Sequence, residues 1–249
     1  MNINVQAHRG ASAYAPENTL PAFRLAVEMQ ADGVENDIRM TKDGVYVVSH
    51  NSTIQECSTG VGQVEYMTLE ELKQHDFGVK RGEQFKGTTI PTLHEFLEVV
   101  KDMRVINIEM KPLEPCVDRP YAYKYIYDSA VEFGCLDRVL ISSFDHVALR
   151  ELKEAYPEIT TALLYSNVMT PGETVDFVAK YKADAIHPMH TSINGEIVAA
   201  CKEKGIMVNP WTVDSEPDIL RCIEMGVTGI ITNVPDVVLR ILKQNNAHE

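Results

Sequence analysis

The feature that most constrains this chain is an alternation of short β-type runs with amphipathic helical stretches, sustained from one end to the other. The β-type runs fall at 5–8, 33–40, 105–111, 139–144, 161–165, 184–188, 207–213 and 228–232. A helix starts near Leu20, with Pro21 in its first turn, where a missing N–H costs little. Leu20, Phe23, Ala26 and Val27 then recur at helical spacing. Gly134, Gly205 and Gly226 each stand just before a strand and read as helix stops. Strands alternating with helices imply a parallel sheet, and eight such units imply closure into a barrel. The fold class is therefore α/β, a TIM (β/α)8 barrel. At 249 residues the chain has the usual length of one such barrel, so 1–249 reads as a single domain.

One stretch breaks the rhythm. About fifty residues separate the second strand from a helix near 93–100, and long loops in compact folds are usually functional. The stretch opens with Asp43-Gly44, a two-residue hairpin signal flanked by Met40 and by Val45 to Val48. It continues as an irregular small insertion over 51–87, with a short helical piece near 69–73, and is expected to cap the site.

Charge and cysteine usage exclude several classes. A formal net charge of −13 argues against nucleic acid, which needs surplus Lys and Arg. It leaves room for a small anion held by a few local cations or a metal. The five cysteines are scattered and form no CxxC pair, so neither a zinc site nor a disulfide framework is indicated. They favour a reduced compartment, and a cytoplasmic location is the expectation. No apolar run approaches the roughly 20 residues that span a bilayer, so no stable membrane insertion is expected. The number of subunits is not set by the sequence.

In this architecture chemistry sits where strands end, at the top face of the barrel. His8, Arg9 and Gly10 end the first strand. A guanidinium can fork onto two phosphate oxygens, and a glycine lets the backbone pass close to a ligand. Glu35 and Asp37, one residue apart on the second strand, point to the same face. Two inward carboxylates are costly unless paired or bound to a cation, and the stretch offers few nearby cations besides Arg9 and Lys111. Glu109 and Lys111 repeat the spacing at the third barrel strand, so Glu109 joins an all-oxygen set suited to one divalent cation, Mg²⁺ or Ca²⁺. A two-residue turn at Asp43-Gly44 makes His50 face Asp37 across the hairpin. Histidine can take or give a proton near neutral pH, as phosphodiester hydrolysis requires. His187, near the end of the sixth barrel strand, reads as structural; His75, His94 and His146 read as solvated or structural, while His248 lies in the polar tail.

The ordered set His8-Arg9-Gly10, Glu17-Asn18-Thr19, Glu35-x-Asp37, His50 and Glu109-x-Lys111 resembles the glycerophosphodiester phosphodiesterase family. Ser142-Ser143-Phe144, Trp211-Thr212-Val213 and Thr232-Asn233-x-Pro235-Asp236 agree with it, and the likeness spans nearly the whole chain. The resemblance implies a divalent ion held by Glu35, Asp37 and Glu109, and His8 and His50 as the acid/base pair. It also implies Arg9 and Lys111 on the phosphate, Glu17 and Asn18 beside the site, and Trp211 and Phe144 near the glycerol. The family cleaves glycerophosphodiesters, its small-molecule substrates, to an alcohol and glycerol 3-phosphate. A relative of the phospholipase D type, acting on lipid, shares the plan and is the alternative. Asn51 and Asn233 depart from the family pattern, which has Asp at these places. The departures bear on rate and substrate preference more than on reaction class.

Overall fold

The computed structural model describes residues 3–246, so His248 lies outside the described residues. In chain order the first half contains β1 (Asn4–His8), α1 (Leu20–Glu28), β2 (Gly33–Met40), β3 (Tyr46–Val48), α2 (Leu69–Lys73), α3 (Leu93–Val100), β4 (Val105–Met110) and α4 (Arg119–Glu132). The second half contains β5 (Val139–Ser143), α5 (His146–Ala155), β6 (Thr160–Tyr165), α6 (Pro171–Tyr181), β7 (Ala185–Pro188), α7 (Gly195–Glu203), β8 (Met207–Val208), α8 (Glu216–Met225), β9 (Gly229–Thr232) and α9 (Pro235–Asn246). The strands lie in the order β8-β7-β6-β5-β4-β2-β1-β9, all parallel, with β3 antiparallel on β2. The ring closes between the two ends of that order. Thr228 N–H donates to Val208 O at 2.9 Å, and Ile231 N–H to Pro210 O at 3.0 Å. This is the eight-stranded barrel that the alternation requires.

Local chemistry explains the helix ends. Thr92 and Glu95 cap α3 reciprocally, as Thr170 and Glu173 cap α6. Gly226 closes α8 at φ +73°, a left-handed position that costs glycine nothing. The helices bury one face against the barrel, and Phe23 of α1 meets Phe96 of α3 edge-on at 4.7 Å between ring centroids.

Two expectations are corrected. The sequence pattern runs the seventh barrel strand over 207–213, yet β8 is two residues long. Pro210 has no N–H to give to a ladder, so regular pairing stops before it. The hairpin register also differs. Met40 pairs with Tyr46 and Ile38 with Val48. Thr41 N–H donates to Val45 O at 2.9 Å and Gly44 N–H to Thr41 O at 3.0 Å, so the turn holds three residues, 42–44. Gly44 sits at φ +80°, the left-handed residue that such a turn needs. The pairing shifts by one, and Ser49, in place of His50, faces Asp37.

Residues 51–87 fold into α2 and three short 3-10 turns. They build a small core of their own, in which Ile54, Val64, Leu72 and Phe77 pack with Val47 and Ile90. Arg81 of this segment donates to the carbonyls of Ser12 and Ala13 in the β1–α1 loop. The insertion therefore leans on the top of the barrel beside β1.

Candidate active site

Strand register assembles the centre. β1 places His8 beside Glu35 of β2. β2 places Glu35 beside Asn107 and Asp37 beside Glu109 of β4. Four charged or titratable groups from three strands thus end on one inner face, as the i, i+2 spacing predicts. One oxygen from each of Glu35, Asp37 and Glu109 lies within 4.8 Å of the others, and all three residues are buried. A cavity of about 110 Å³ opens above them, lined by His8, Arg9, His50, Phe144 and Trp211 among others. A larger cavity of about 340 Å³ lies next to it, between Ser12 and Glu17 of the β1–α1 loop and Asn51, Glu56 and Arg81 of the insertion. The smaller one is lined by Glu35, Glu109 and both histidines, so chemistry and not size marks it as the site.

His50 reaches this cavity although the hairpin register does not aim it there. The chain leaves the ladder after Val48, and the His50 carbonyl is gripped by Arg39 through Nε at 3.0 Å and Nη2 at 2.8 Å. Glu65 of the insertion accepts from Arg39 Nη1 at 2.7 Å. Arg39 is the next inward residue of β2 after Asp37, so the spacing that picked out the two carboxylates also points to it. Sequence reading passed it over.

The remaining expected residues fall as follows. Arg9 Nη1 donates to Glu17 Oε1 at 3.0 Å, so Glu17 reaches the site through Arg9 and lines the neighbouring cavity. Asn18 Nδ2 donates to Asp37 Oδ2 at 2.8 Å and holds that carboxylate from outside. Phe144, 44% exposed, meets Trp211 edge-on at 5.8 Å. An exposed ring at the cavity mouth is not core filling. Trp211 Nε1 donates to His187 O at 2.8 Å. Gly10 was expected to let the backbone pass a ligand. Its close neighbour is α1 instead, for a Cβ there would lie 2.6 Å from the Ala22 carbonyl carbon, at φ +79°. His187 is fully buried, bonded through Nε2 to Asn209 at 3.0 Å, and burial lowers its pKa to about 3, so it is a neutral structural histidine at the cavity floor. His146 and His94 are also structural, bonded to Leu164 O and Ser129 Oγ.

The electrostatics are unbalanced without a cation. Lys111 Nζ lies 2.8 Å from Asp37 Oδ1 and 2.5 Å from Glu109 Oε1, and Arg9 Nε lies 3.4 Å from Asp37 Oδ2. Against the desolvation of burial, Lys111 and Arg9 hold Asp37 well below the usual carboxylate range. Glu35 has weaker support, from the Arg9 charge and from the Arg9 backbone N–H, which donates to Oε2 at 3.0 Å. Burial, with Asp37 and Glu109 alongside, pushes it well above that range. Burial and Asp37 push Glu109 up to about 7. Two of three clustered carboxylates are thus poorly charged as they stand, and Asp37 Oδ1 and Arg9 Nε lack a well-aligned hydrogen-bond partner. A hard divalent cation answers the carboxylates, Asp37 Oδ1 included, because it stabilises the charged form of every oxygen around it, while the Arg9 Nε–H is a donor that only an acceptor can satisfy. Burial, helped by Arg9, lowers the pKa of His8 to about 4, and burial with Lys111 and Arg9 lowers that of His50, leaving both imidazoles neutral near pH 7.

Comparison with known proteins agrees with this geometry. A sequence model of the glycerophosphoryl diester phosphodiesterase family matches residues 8–237. The chain is 39% identical over 245 residues to the glycerophosphodiester phosphodiesterase of Caldanaerobacter subterraneus subsp. tengcongensis, covering 98% of this chain and 99% of that one. It is 34% identical to that of Bacillus altitudinis, covering 96% and 97%. An Oleispira antarctica phosphodiesterase, solved in complex with the product sn-glycerol-3-phosphate, superposes with a TM-score of 0.88 at 26% identity, over 96% of both chains. From the fold, the register of the site and these likenesses together, this chain is a phosphodiester hydrolase and belongs to the glycerophosphoryl diester phosphodiesterase family.

Proposed function

We propose that this enzyme hydrolyses glycerophosphodiesters to an alcohol and glycerol 3-phosphate, using a divalent cation held by Glu35, Asp37 and Glu109 and proton transfer by His8 and His50. The observation that carries the reading is the convergence of three buried carboxylates, with oxygens within 4.8 Å of one another, on a cavity lined by both histidines. The product found with the Oleispira antarctica enzyme supports glycerol 3-phosphate as the product class.

When bound, the cation would draw charge off the phosphoryl oxygens. The chain's own groups do the rest. Arg9 lines the cavity and orients the phosphoryl group by its planar fork, and Lys111, held between Asp37 and Glu109 beside it, adds positive charge for the phosphoryl oxygens. Phe144 and Trp211 form an apolar edge for the glycerol carbons at the cavity mouth. A neutral imidazole is ready to accept the nucleophile's proton. The negative charge of a bound phosphodiester raises the pKa of the other imidazole, which then protonates the leaving alkoxide.

Release of glycerol 3-phosphate from glycerophosphocholine and glycerophosphoethanolamine, in EDTA and with added Mg²⁺ or Ca²⁺, tests the reading. Release restored by a metal is the expected result. No release from either substrate, or faster cleavage of lysophosphatidylcholine at its choline, would overturn the substrate class. Undiminished release in EDTA would overturn the cation.

The carboxylates also set a pH dependence. Glu109 titrates near 7 in the fold, against an ordinary 4.5, and Glu35 is raised as well. Between these two pH values the native state binds more protons than the unfolded chain, so metal-free stability falls as pH rises through that window. A cation takes the place of those protons. The metal-induced rise in melting temperature is therefore expected to be larger at about pH 8 than at about pH 5, and melts in EDTA and in metal at both values check it. An equal shift at both would count against the ligand set.

A further inference from the structure

The two histidines are held at Nδ1 in the same way. His8 Nδ1 lies 2.7 Å from Asn233 Oδ1, and His50 Nδ1 lies 2.7 Å from Asn51 Oδ1. Each asparagine is gripped in turn by a carboxylate. Asn233 Nδ2 donates to Asp214 Oδ2 at 2.7 Å, and its backbone N–H donates to Asp214 Oδ1 at 2.8 Å. Thr232 Oγ1 donates to that same oxygen at 3.0 Å. Asn51 Nδ2 donates to Glu56 Oε2 of the insertion. We propose that Asp214 and Glu56 are positioning residues that act through Asn233 and Asn51 to fix the tautomer and ring orientation of His8 and His50. The inference rests on the two-histidine reading above.

Donors and acceptors along each chain of hydrogen bonds fix the tautomer. An ionised carboxylate only accepts, so it draws the amide NH₂ group to itself. The amide oxygen is then turned toward the imidazole, and Ser12 Oγ donates to that oxygen of Asn233 at 2.8 Å. A carbonyl oxygen also only accepts, so the imidazole nitrogen facing it must carry the hydrogen. A neutral imidazole has one N–H. With Nδ1 occupied, Nε2 keeps its lone pair. His8 Nε2 is the nitrogen on the carboxylate side, 3.9 Å from Glu35 Oε2. Two separate carboxylate–asparagine–histidine chains, one at the end of β9 and one in the insertion, thus lead to the same tautomer. They also give a physical sense to the two departures from the family pattern. Asn replaces Asp beside each ring, and a carboxylate stands one hydrogen bond further out.

Exchanging the two groups at positions 214 and 233 tests the order of donors. Asn233→Asp alone sets two carboxylates against each other. The double variant Asn233→Asp with Asp214→Asn restores a donor facing an acceptor, and still offers His8 Nδ1 an acceptor. With glycerophosphocholine as substrate, Asp214→Ala and Asn233→Asp are expected to lower kcat about 10- to 100-fold with KM within about twofold, as for a misplaced catalytic group. Glu56→Ala should act in the same way through His50. The double variant should return to within about threefold of the native kcat. Nitrogen-15 NMR of the imidazoles should give the Nδ1–H pattern for His8 in the native protein and a tautomer mixture in Asp214→Ala, a readout independent of turnover. Asp214 is exposed, so melting curves will separate loss of position from loss of fold. An unchanged kcat in Asp214→Ala, a double variant no better than Asn233→Asp, or an Nε2–H pattern for native His8 would each overturn the proposal. Full turnover in His8→Ala and His50→Ala would overturn the histidine reading itself, whereas dead histidine variants with no rescue by the exchange would sink the clamp alone.

Discussion

Replacing His8 or His50 with alanine is expected to lower turnover by about 10²–10⁴-fold while the barrel stays folded. The two effects are kept apart by where the rings sit. His8 ends β1 with its side chain 15% exposed, and its ring faces the cavity rather than the packed layer under the helices. Alanine keeps the β1 ladder, because the ring takes no part in it. His50 lies beyond β3 and is fixed through its carbonyl, which Arg39 grips whatever the side chain. The loss thus falls on proton transfer, about 3–5 kcal/mol of barrel-independent barrier height at 1.36 kcal/mol per tenfold. Steady-state kcat with glycerophosphocholine and a thermal melt on each variant check the two halves of this statement. Native turnover in both would remove the histidines from the chemistry.

The second large effect is expected at the carboxylates, where function and stability pull in opposite directions. Glu35→Gln and Glu109→Gln keep shape and remove charge. Each should weaken Mg²⁺ or Ca²⁺ binding by about 10²–10³-fold, the scale of removing one partner of a buried ion pair, and turnover should fall with it. The same variants should raise the melting temperature of the metal-free protein near pH 8, where burial and mutual repulsion make both glutamates costly to ionise. Asp37 is the wrong choice for this test. Lys111 and Arg9 both lean on it, so Asp37→Asn would take one partner from each of two cations and mix the effects. Calorimetric titration with each metal, beside melts in EDTA, reads both outcomes. Unchanged metal affinity in either variant would refute the ligand set.

Much of the centre was legible because its logic is local. Glu35 and Asp37 share a face by strand geometry, as do Glu109 and Lys111, and strand ends in such a barrel converge by construction. Arg39 obeys the same two-residue rule and was missed only because the count stopped at Asp37. His50 reaches the site by a route that hairpin register does not encode. The two-residue turn would have aimed it at Asp37, but Gly44 in a left-handed conformation adds a residue and puts Ser49 there. Arg39 and Glu65 then deliver the histidine by another route.

The sequence by itself determined the kind of barrel, most of its strand limits and the identity of the groups at its rim. These follow from periods of two and 3.6 residues, from glycine and proline at element ends, and from paired spacing on single strands. Only the tertiary structure decided which groups hold which. His8 meets Asn233 across 225 residues of chain, and it does so because closing the barrel sets β9 beside β1. Asp214 reaches Asn233 because the chain beyond β8 runs along β9 despite the gap that Pro210 leaves in the ladder. Such contacts depend on ring closure and loop geometry, and no local pattern of residues encodes either.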